Sequence, residues 1–467
     1  MLLQLLLALA PTVTAMPQAP SVQAPARGSQ AGAFAERVGG TLWNSTSGGP
    51  QVMLLGRLEG NVYALRISGT GTGWEEDFLI GIPPNPLNPA PLLVLFHQYS
   101  VSEYDTYIKT GFFKEALTRG WYVVAPLGAH QLNFGIDYSQ RNIEVCLNWV
   151  TDFFGGALDS ERVYGVGFSM GGGALMSYAS RHIDPDGVRF AALLNHTGSL
   201  SIADLYERCG NNDTTVFDHP LMFGGPPGTN EIAYQRASTF HLWPLPARID
   251  SSSDFVRNLQ STYIETWYSD IDPNPCPLVS QNWTLNRYLE TTPYLNQGWD
   301  STERVFNFNE HTWRLLDEAQ ILDTFTPLRA QNPTGTVDVL ADRDARYHCV
   351  EVKQATQDVL SPFRFNSTPG GQNLIYFDRY SNISEVILHT ADAGLDTSLP
   401  LEVKLDGNAD SAPIEFTLTG YTNIPSDVTY AGTSTSDWSY DAAFGRVSLQ
   451  AMTPGQPGSY PTWEVIP

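Results

Sequence analysis

Cysteine is scarce in this chain: four residues in 467, at Cys146, Cys209, Cys276 and Cys349, none forming a C-x-x-C pair. That spacing excludes the usual zinc and dithiol redox motifs, and no metal site is expected. In an oxidising compartment the four permit two disulfides with three connectivities, which spacing alone does not separate. Cys146 lies among Ile143, Leu147 and Val150 at helical spacing, the setting of a buried free thiol. Charged residues make up only 16 %, and basic ones are rarer still: 26 Lys and Arg stand against 49 Asp and Glu, a formal net charge of −23. Nucleic acid and anionic membrane surfaces both require a basic face, so neither is an expected partner. Long apolar runs are missing too. Nothing approaches the roughly 18 consecutive apolar residues of a spanning helix, so no membrane span is expected.

What is present is enough for a large core, with 42 % hydrophobic and 12 % aromatic residues. The length predicts two domains. The N-terminus reads "MLLQLLLALAPTVTAM". Leu2 to Ala10 has signal-peptide length and Val13-Thr14-Ala15 resembles a small-residue cleavage site, although the basic n-region is missing apart from the amino terminus. Residues 1–15 are read as a signal peptide and the protein as secreted or periplasmic. Residues 16–32, rich in Pro, Gln, Ala and Ser, read as a flexible leader. Six N-x-S/T sequons, including Asn44 and Asn382, bear on glycosylation only in a eukaryotic secretory host.

From there strands and helices alternate. "NVYALRIS" and "WEEDFLIGIPP" read as strands, and "PLLVLF" and "WYVVAPL" as strands buried on both faces. Ser102 to Arg119 and "YSQRNIEVCLNWVTDFFG" read as helices, each closed by glycine. A strand from Arg162 to Gly167, a helix from Met170 to His182 and a strand "RFAALLN" follow. Such alternation predicts an α/β domain over residues 33–330, a mostly parallel sheet with helices on both faces, with an insertion near 200–260. After Pro333 the helical signal fades, and "NLIYFDRY", "EVILHTA", "LEVKL", "IEFTLTGY" and "GRVSLQAM" predict a β-sandwich-like domain over 331–467. That domain is expected either to bind a polymer or glycan or to pack against its neighbour. "DGNADS", from Asp406, fails calcium-loop spacing and reads as a turn.

The chemistry centres on "VYGVGFSMGGGAL", where Gly167-Phe168-Ser169-Met170-Gly171 matches G-x-S-x-G between a strand and a helix. That setting holds a serine on a sharp turn at the carboxyl edge of a sheet, with helix N–H groups near its hydroxyl. A serine needs a base, and in this fold the order along the chain is serine, acid, histidine. His311 is the candidate base, between a strand read at Val305 to Phe308 and a helix read from Trp313 to Phe325. His196 also follows a strand, but one directly after the nucleophile helix, before any acid. The acid is expected after the strand Tyr263 to Tyr268. Asp272, which begins a turn with Pro273, is preferred to Asp270. Two backbone N–H donors are needed for the oxyanion: Met170 supplies one, and Gln98 or Tyr99, with Tyr99 preferred, the other. Tyr99, with Phe168 and Met170 nearby, is expected to wall the acyl pocket. Phe240, His241 and Trp243 in the insertion read as its own core before they read as a stacking surface.

Together these residues resemble the α/β-hydrolase superfamily, and within it the secreted esterases that include feruloyl and acetylxylan esterases and polyhydroxyalkanoate depolymerases. "GFSMGGG" is also similar to the nucleophile elbow of bacterial cutinases and polyester hydrolases, while "HTW" and "YSDIDP" are similar to the histidine and acid loops of the depolymerase and feruloyl esterase group. The resemblance covers about residues 50 to 330. It implies an exported serine hydrolase that cleaves carboxylic esters of plant polysaccharides or aromatic acids, without a cofactor. A polyester depolymerase is the alternative within enzymes. Those families usually carry His-Gly after the third strand, where this chain has His97-Gln98. That departure leaves open a non-catalytic glycan- or polymer-binding protein on a hydrolase scaffold.

Overall fold

The computed structural model describes residues 50–209, 216–220, 222–243, 248–291, 301–333, 335–367, 372–406, 413–452 and 462–467. The signal-peptide and leader readings, Asn44 and most of "DGNADS" lie outside them.

The first part is built on strands β1 (Gln51–Arg57), β2 (Val62–Ser68), β3 (Glu76–Gly81), β4 (Ala90–Phe96), β5 (Tyr122–Pro126), β6 (Leu158–Phe168) and β7 (Ala192–His196). After a hairpin of β8 (Phe240–Trp243) and β9 (Arg248–Asp254) come β10 (Tyr263–Ser269) and β11 (Ser301–Phe306). Nine of them form one sheet in the order β1-β2-β3-β5-β4-β6-β7-β10-β11. The first three contacts are antiparallel, and from β5 to β11 every contact is parallel. Parallel strands need crossovers, and helices supply them: α1 (Tyr104–Lys109), α2 (Phe112–Thr118), α3 (Asp137–Phe154), α4 (Met170–Arg181), α5 (Ile202–Cys209), α6 (Glu231–Ala237), α7 (Leu278–Thr291) and α8 (Glu318–Phe325).

The two-residue period of β4 shows why the sheet is covered on both sides. Leu92, Val94 and Phe96 join a core with Ile143 and Leu147 of α3, Leu175 of α4 and Leu285 of α7. Leu93 and Leu95 face the other way, into a core with Phe112 and Phe113 of α2 and Ile321 and Phe325 of α8. Each such side chain contributes about 1.5–3 kcal/mol by leaving water. The α/β reading therefore holds, with local corrections. Ser102 to Arg119 is two short helices rather than one, parted at Thr110-Gly111. β11 begins at Ser301 and ends at Phe306, ahead of the Val305 to Phe308 read from sequence. The helix read from Trp313 is a 3-10 turn, Trp313–Leu315, followed by α8, whose N-cap Asp317 accepts the Gln320 N–H.

Between β7 and β10 the chain carries a segment made of α5, α6 and the β8–β9 hairpin. Its aromatic core joins Phe217, Phe223 and Tyr234 to Phe134 and Met170. Phe240 is wholly buried, so it offers no stacking surface. One disulfide joins Cys209 at the end of α5 to Cys276 in the loop after β10; Cys146 and Cys349 are buried free thiols.

The C-terminal part begins with strand β12 (Gly335–Ala341) and consists of a seven-stranded and a six-stranded sheet around one shared core. Its first strands, over residues 335–367, precede the segment where strands are read from sequence. It packs directly on helix α4. Arg181, in the last turn of α4, places Nε 2.9 Å from Asp342 Oδ2, and the two side chains are 2 % and 0 % exposed. Asn258 donates to the carbonyls of Ser180 and Leu340 and accepts the Leu340 N–H. Among the described residues no helix is long and apolar enough to cross a membrane.

Candidate active site

Ser169 sits between β6 and α4 with φ 57° and ψ −121°, a left-handed backbone that only a tightly determined turn sustains. Two glycines make that turn possible. A Cβ on Gly171 would lie 2.4 Å from the carbonyl oxygens of Phe96 and His97, and one on Gly167 would lie 2.3 Å from the carbonyl oxygen of Gly171. The start of α4 is thus pressed against the loop that leaves β4. The Ser169 N–H donates to the His196 carbonyl at 2.9 Å, and the Ser169 carbonyl accepts from Gly173 and Ser199.

His311 lies in the loop after β11. Its Nε2 is 2.8 Å from Ser169 Oγ, and its Nδ1 is 2.7 Å from Asp272 Oδ2. The three residues chosen from sequence are therefore joined in one hydrogen-bonded line. Asp270 is not part of it; its backbone N–H donates to the Phe306 carbonyl. The Asp272 side chain is 2 % exposed and that of His311 20 %, so the acid is shielded while the imidazole remains open to an incoming group. Asp272 Oδ1 accepts the Asn274 N–H at 2.8 Å, and Asn274 Oδ1 accepts that of Cys276, the disulfide partner of Cys209.

The structure adds residues that spacing does not reveal. Ser269, at the end of β10, accepts the Phe308 N–H at 2.9 Å, and its Oγ lies 3.0 Å and 2.8 Å from the carbonyl oxygens of Phe306 and Phe308. It stitches the acid loop to the histidine loop. Phe168 stands beside the serine with its side chain wholly buried. Its buried ring lies 4.6 Å from His196, 4.5 Å from His311 and 5.1 Å from Trp313. Trp313 Nε1 donates to Asp105 Oδ2, and burial pushes the Asp105 carboxyl above its ordinary pKa.

For the oxyanion, Met170 opens α4, so its N–H has no carbonyl within the helix to bond. On the facing loop the left-handed position is Ser100, at φ 64°. Gln98 does not adopt such a backbone, so it meets no requirement for glycine. The loop is tied down from beneath. His97 Nδ1 and Nε2 lie 2.8 Å from the carbonyl oxygens of Gln98 and Leu127, and the Ser100 N–H donates to Gln131. Glu76, wholly buried, accepts the N–H groups of Gly128 and Ala129. Tyr99 packs its ring 5.4 Å from Phe134, on the aromatic core that includes Met170.

Strand order and elbow together decide the architecture. The fold is that of the α/β-hydrolases. No family model matches the sequence and no curated protein matches it. Among solved structures, an S-formylglutathione hydrolase from Agrobacterium tumefaciens is 13 % identical, with a TM-score of 0.41 over 61 % of this chain and 95 % of that one. A ferulic acid esterase is 16 % identical, with a TM-score of 0.40 over 57 % and 98 %. An acetyl xylan esterase from Paenibacillus sp. R4 is 15 % identical, with a TM-score of 0.40 over 66 % and 97 %. At such identities the likeness says nothing of substrate or of the role of any residue.

The arrangement can take a proton from a serine hydroxyl, hold the resulting imidazolium against a shielded carboxylate, and return the proton to a leaving group. Among the described residues no group of three or more His, Cys, Asp or Glu is placed to hold a metal.

Proposed function

We propose that this chain is a serine hydrolase that cleaves carboxylic esters through an acyl-enzyme. The observation that carries the reading is the unbroken line Ser169 Oγ to His311 Nε2 to Asp272, with the serine on a strained strand-to-helix turn. In the first half, Ser169 Oγ attacks the ester carbonyl carbon while its proton passes to His311 Nε2. Asp272 accepts a hydrogen bond from His311 Nδ1, which fixes the tautomer and stabilises the imidazolium. The carbonyl oxygen becomes an oxyanion facing the N–H groups of Met170 and Tyr99. Collapse breaks the bond to the alcohol oxygen, which leaves with the proton from His311. A water then repeats the sequence on the acyl-enzyme and releases the acid.

The substrates we infer are esters of aromatic acids or of plant polysaccharides, on the strength of the sequence resemblance. The polyester reading has the same machinery and awaits the same assay. Export is supported by the apolar N-terminal run and by the disulfide, which persists in oxidising compartments.

Labelling with a fluorophosphonate probe tests the reading, since such probes need a base-activated serine. Labelling abolished by Ser169→Ala and by His311→Ala is the expected result; a folded wild-type protein that does not label removes it. An ester panel from p-nitrophenyl acetate to feruloyl sugars and polyester films then sorts the substrates.

A further inference from the structure

His196 ends β7, between the two strands whose tips carry the site. In register it pairs with Phe168 on β6 and with Trp267 on β10. Its backbone carbonyl accepts the Ser169 N–H at 2.9 Å. Its ring, wholly buried and stacked on Phe168, reaches past the sheet edge to place Nε2 2.8 Å from the carbonyl oxygen of Thr312. Thr312 follows His311 directly. One residue thus holds the nucleophile through its main chain and the histidine loop through its side chain.

The ring faces carbonyls on both sides, since Nδ1 lies 2.9 Å from the Trp267 oxygen. Burial pushes its pKa down to about 4, so near neutrality it carries a single N–H. Two neighbours decide where that proton sits. The Trp267 carbonyl already accepts the Thr197 N–H at 2.9 Å, and the Thr197 hydroxyl, 3.4 Å from Nδ1, can donate to it. With Nε2 at the shorter distance and the Thr197 hydroxyl available to Nδ1, we assign the proton to Nε2, directed at Thr312. The titratable groups facing the ring are His311 and Asp272.

We propose that His196 is a positioning residue, whose Nε2–H holds the Thr312 carbonyl and thereby fixes the His311 imidazole at hydrogen-bond distance from Ser169. The assignment rests on the hydrolase reading above. The histidine loop is also anchored at Ser269, before His311, and at Trp313, whose Nε1 donates to Asp105; the Thr312 contact is the one that adjoins His311 on its far side. Freed there, the imidazole drifts, and a displacement of about 1 Å in such a constellation costs on the order of a hundredfold in rate.

The test compares wild type with His196→Phe, which keeps a stacking ring without a donor, His196→Gln, whose amide N–H extends to the Nε2 position, and His196→Asn, whose shorter amide does not. The readout is the rate constant and final amplitude of fluorophosphonate labelling, with kcat and KM for p-nitrophenyl acetate. A loss of folding lowers the amplitude but leaves the rate constant of the remaining active fraction unchanged. Loss of positioning lowers the rate constant at full amplitude. We expect His196→Phe and His196→Asn to label about ten- to a hundredfold more slowly, with kcat falling in parallel and KM within about twofold, and His196→Gln within about threefold of wild type. His196→Phe labelling at the wild-type rate overturns the proposal, as does His196→Gln falling as far as His196→Phe. Should His196→Phe not fold, equal rates for the Asn and Gln variants overturn it. A wild-type protein that does not label overturns the hydrolase reading and this assignment with it, an outcome distinct from a reactive wild type matched by His196→Phe.

Discussion

Asp272 Oδ2 lies 2.7 Å from His311 Nδ1, whereas Asp270, two residues earlier, donates its backbone N–H to Phe306 at the end of β11. The turn at Ser269, whose carbonyl accepts the Asp272 N–H, brings the second aspartate rather than the first under the imidazole. Asp272→Asn keeps the volume but presents an amide to Nδ1, favouring the wrong tautomer. The expected loss in kcat/KM is about 10³–10⁴-fold. Asp270→Asn is expected to stay within about threefold. Steady-state kinetics on one activated ester separates the two, and equal losses would remove Asp272 from the role proposed for it.

The loop after β4 is held by its neighbours, not by a glycine. Gln98 has an ordinary backbone, and the positive φ falls on Ser100. Gln98→Gly is therefore expected to change kcat/KM by no more than about threefold. Gly171→Ala is the opposite case, because its Cβ would meet the Phe96 and His97 carbonyl oxygens at 2.4 Å, and backbone cannot step aside as a side chain can. Its expected outcome is loss of labelling by more than about a hundredfold or failure to accumulate as folded protein. A gain of activity in Gln98→Gly by tenfold or more would show the loop to be strained after all.

Much of the site is legible in sequence because each part carries a local signature. Ser169 stands in a glycine-framed turn between a strand and a helix, and Asp272 and His311 each follow a strand end in the right order. The contacts that make these three into one line are not local. Ser269 meets Phe306 and Phe308, and His196 meets Thr312, only because parallel pairing sets β7, β10 and β11 side by side. A serine and a histidine at strand ends have no distinguishing mark until that pairing is known. The strands of 335–367 do alternate, Phe363 and Phe365 facing the core with Arg364 between them, but they are short and separated by tight turns, so each stretch is too brief to stand out in the sequence.

Glu76 gives the fold a pH dependence that can be read by subtraction. Burial pushes its carboxyl from 4.5 up to about 8, although the N–H groups of Gly128 and Ala129 pull the other way. Between those values the folded protein keeps a proton that the unfolded chain has released, so stability falls as pH rises through the window. Relative to Glu76→Gln, the wild type is expected to lose on the order of 1 kcal/mol per pH unit between about pH 5 and 8, with little change on either side. Denaturant titrations of both proteins at pH 5, 6.5 and 8 measure the difference. Parallel stability curves would mean that Glu76 is ionised in the fold throughout.

The C-terminal sheets are joined to α4 through a buried ion pair. Arg181 and Asp342 are both nearly inaccessible, and Arg236 adds a donor to the Asp342 carbonyl at 2.5 Å. A buried pair of this kind gains little net stability against a matched apolar pair, but removal of one partner strands the other charge out of water. Asp342→Ala leaves the Arg181 guanidinium with Asp137, 3.3 Å away and partly exposed, as its remaining carboxylate partner. The expected cost is about 3–5 kcal/mol, lowering the midpoint of chemical denaturation for the whole chain. The double variant Arg181→Met with Asp342→Leu removes both charges together and is expected to recover more than half of that loss. Because Arg181 closes α4, whose other end carries Ser169, the single variant should also slow labelling before it unfolds. If Asp342→Ala destabilised only the C-terminal sheets, in a separate transition that left labelling intact, the two parts would be independent bodies and the packing on α4 without consequence for the site.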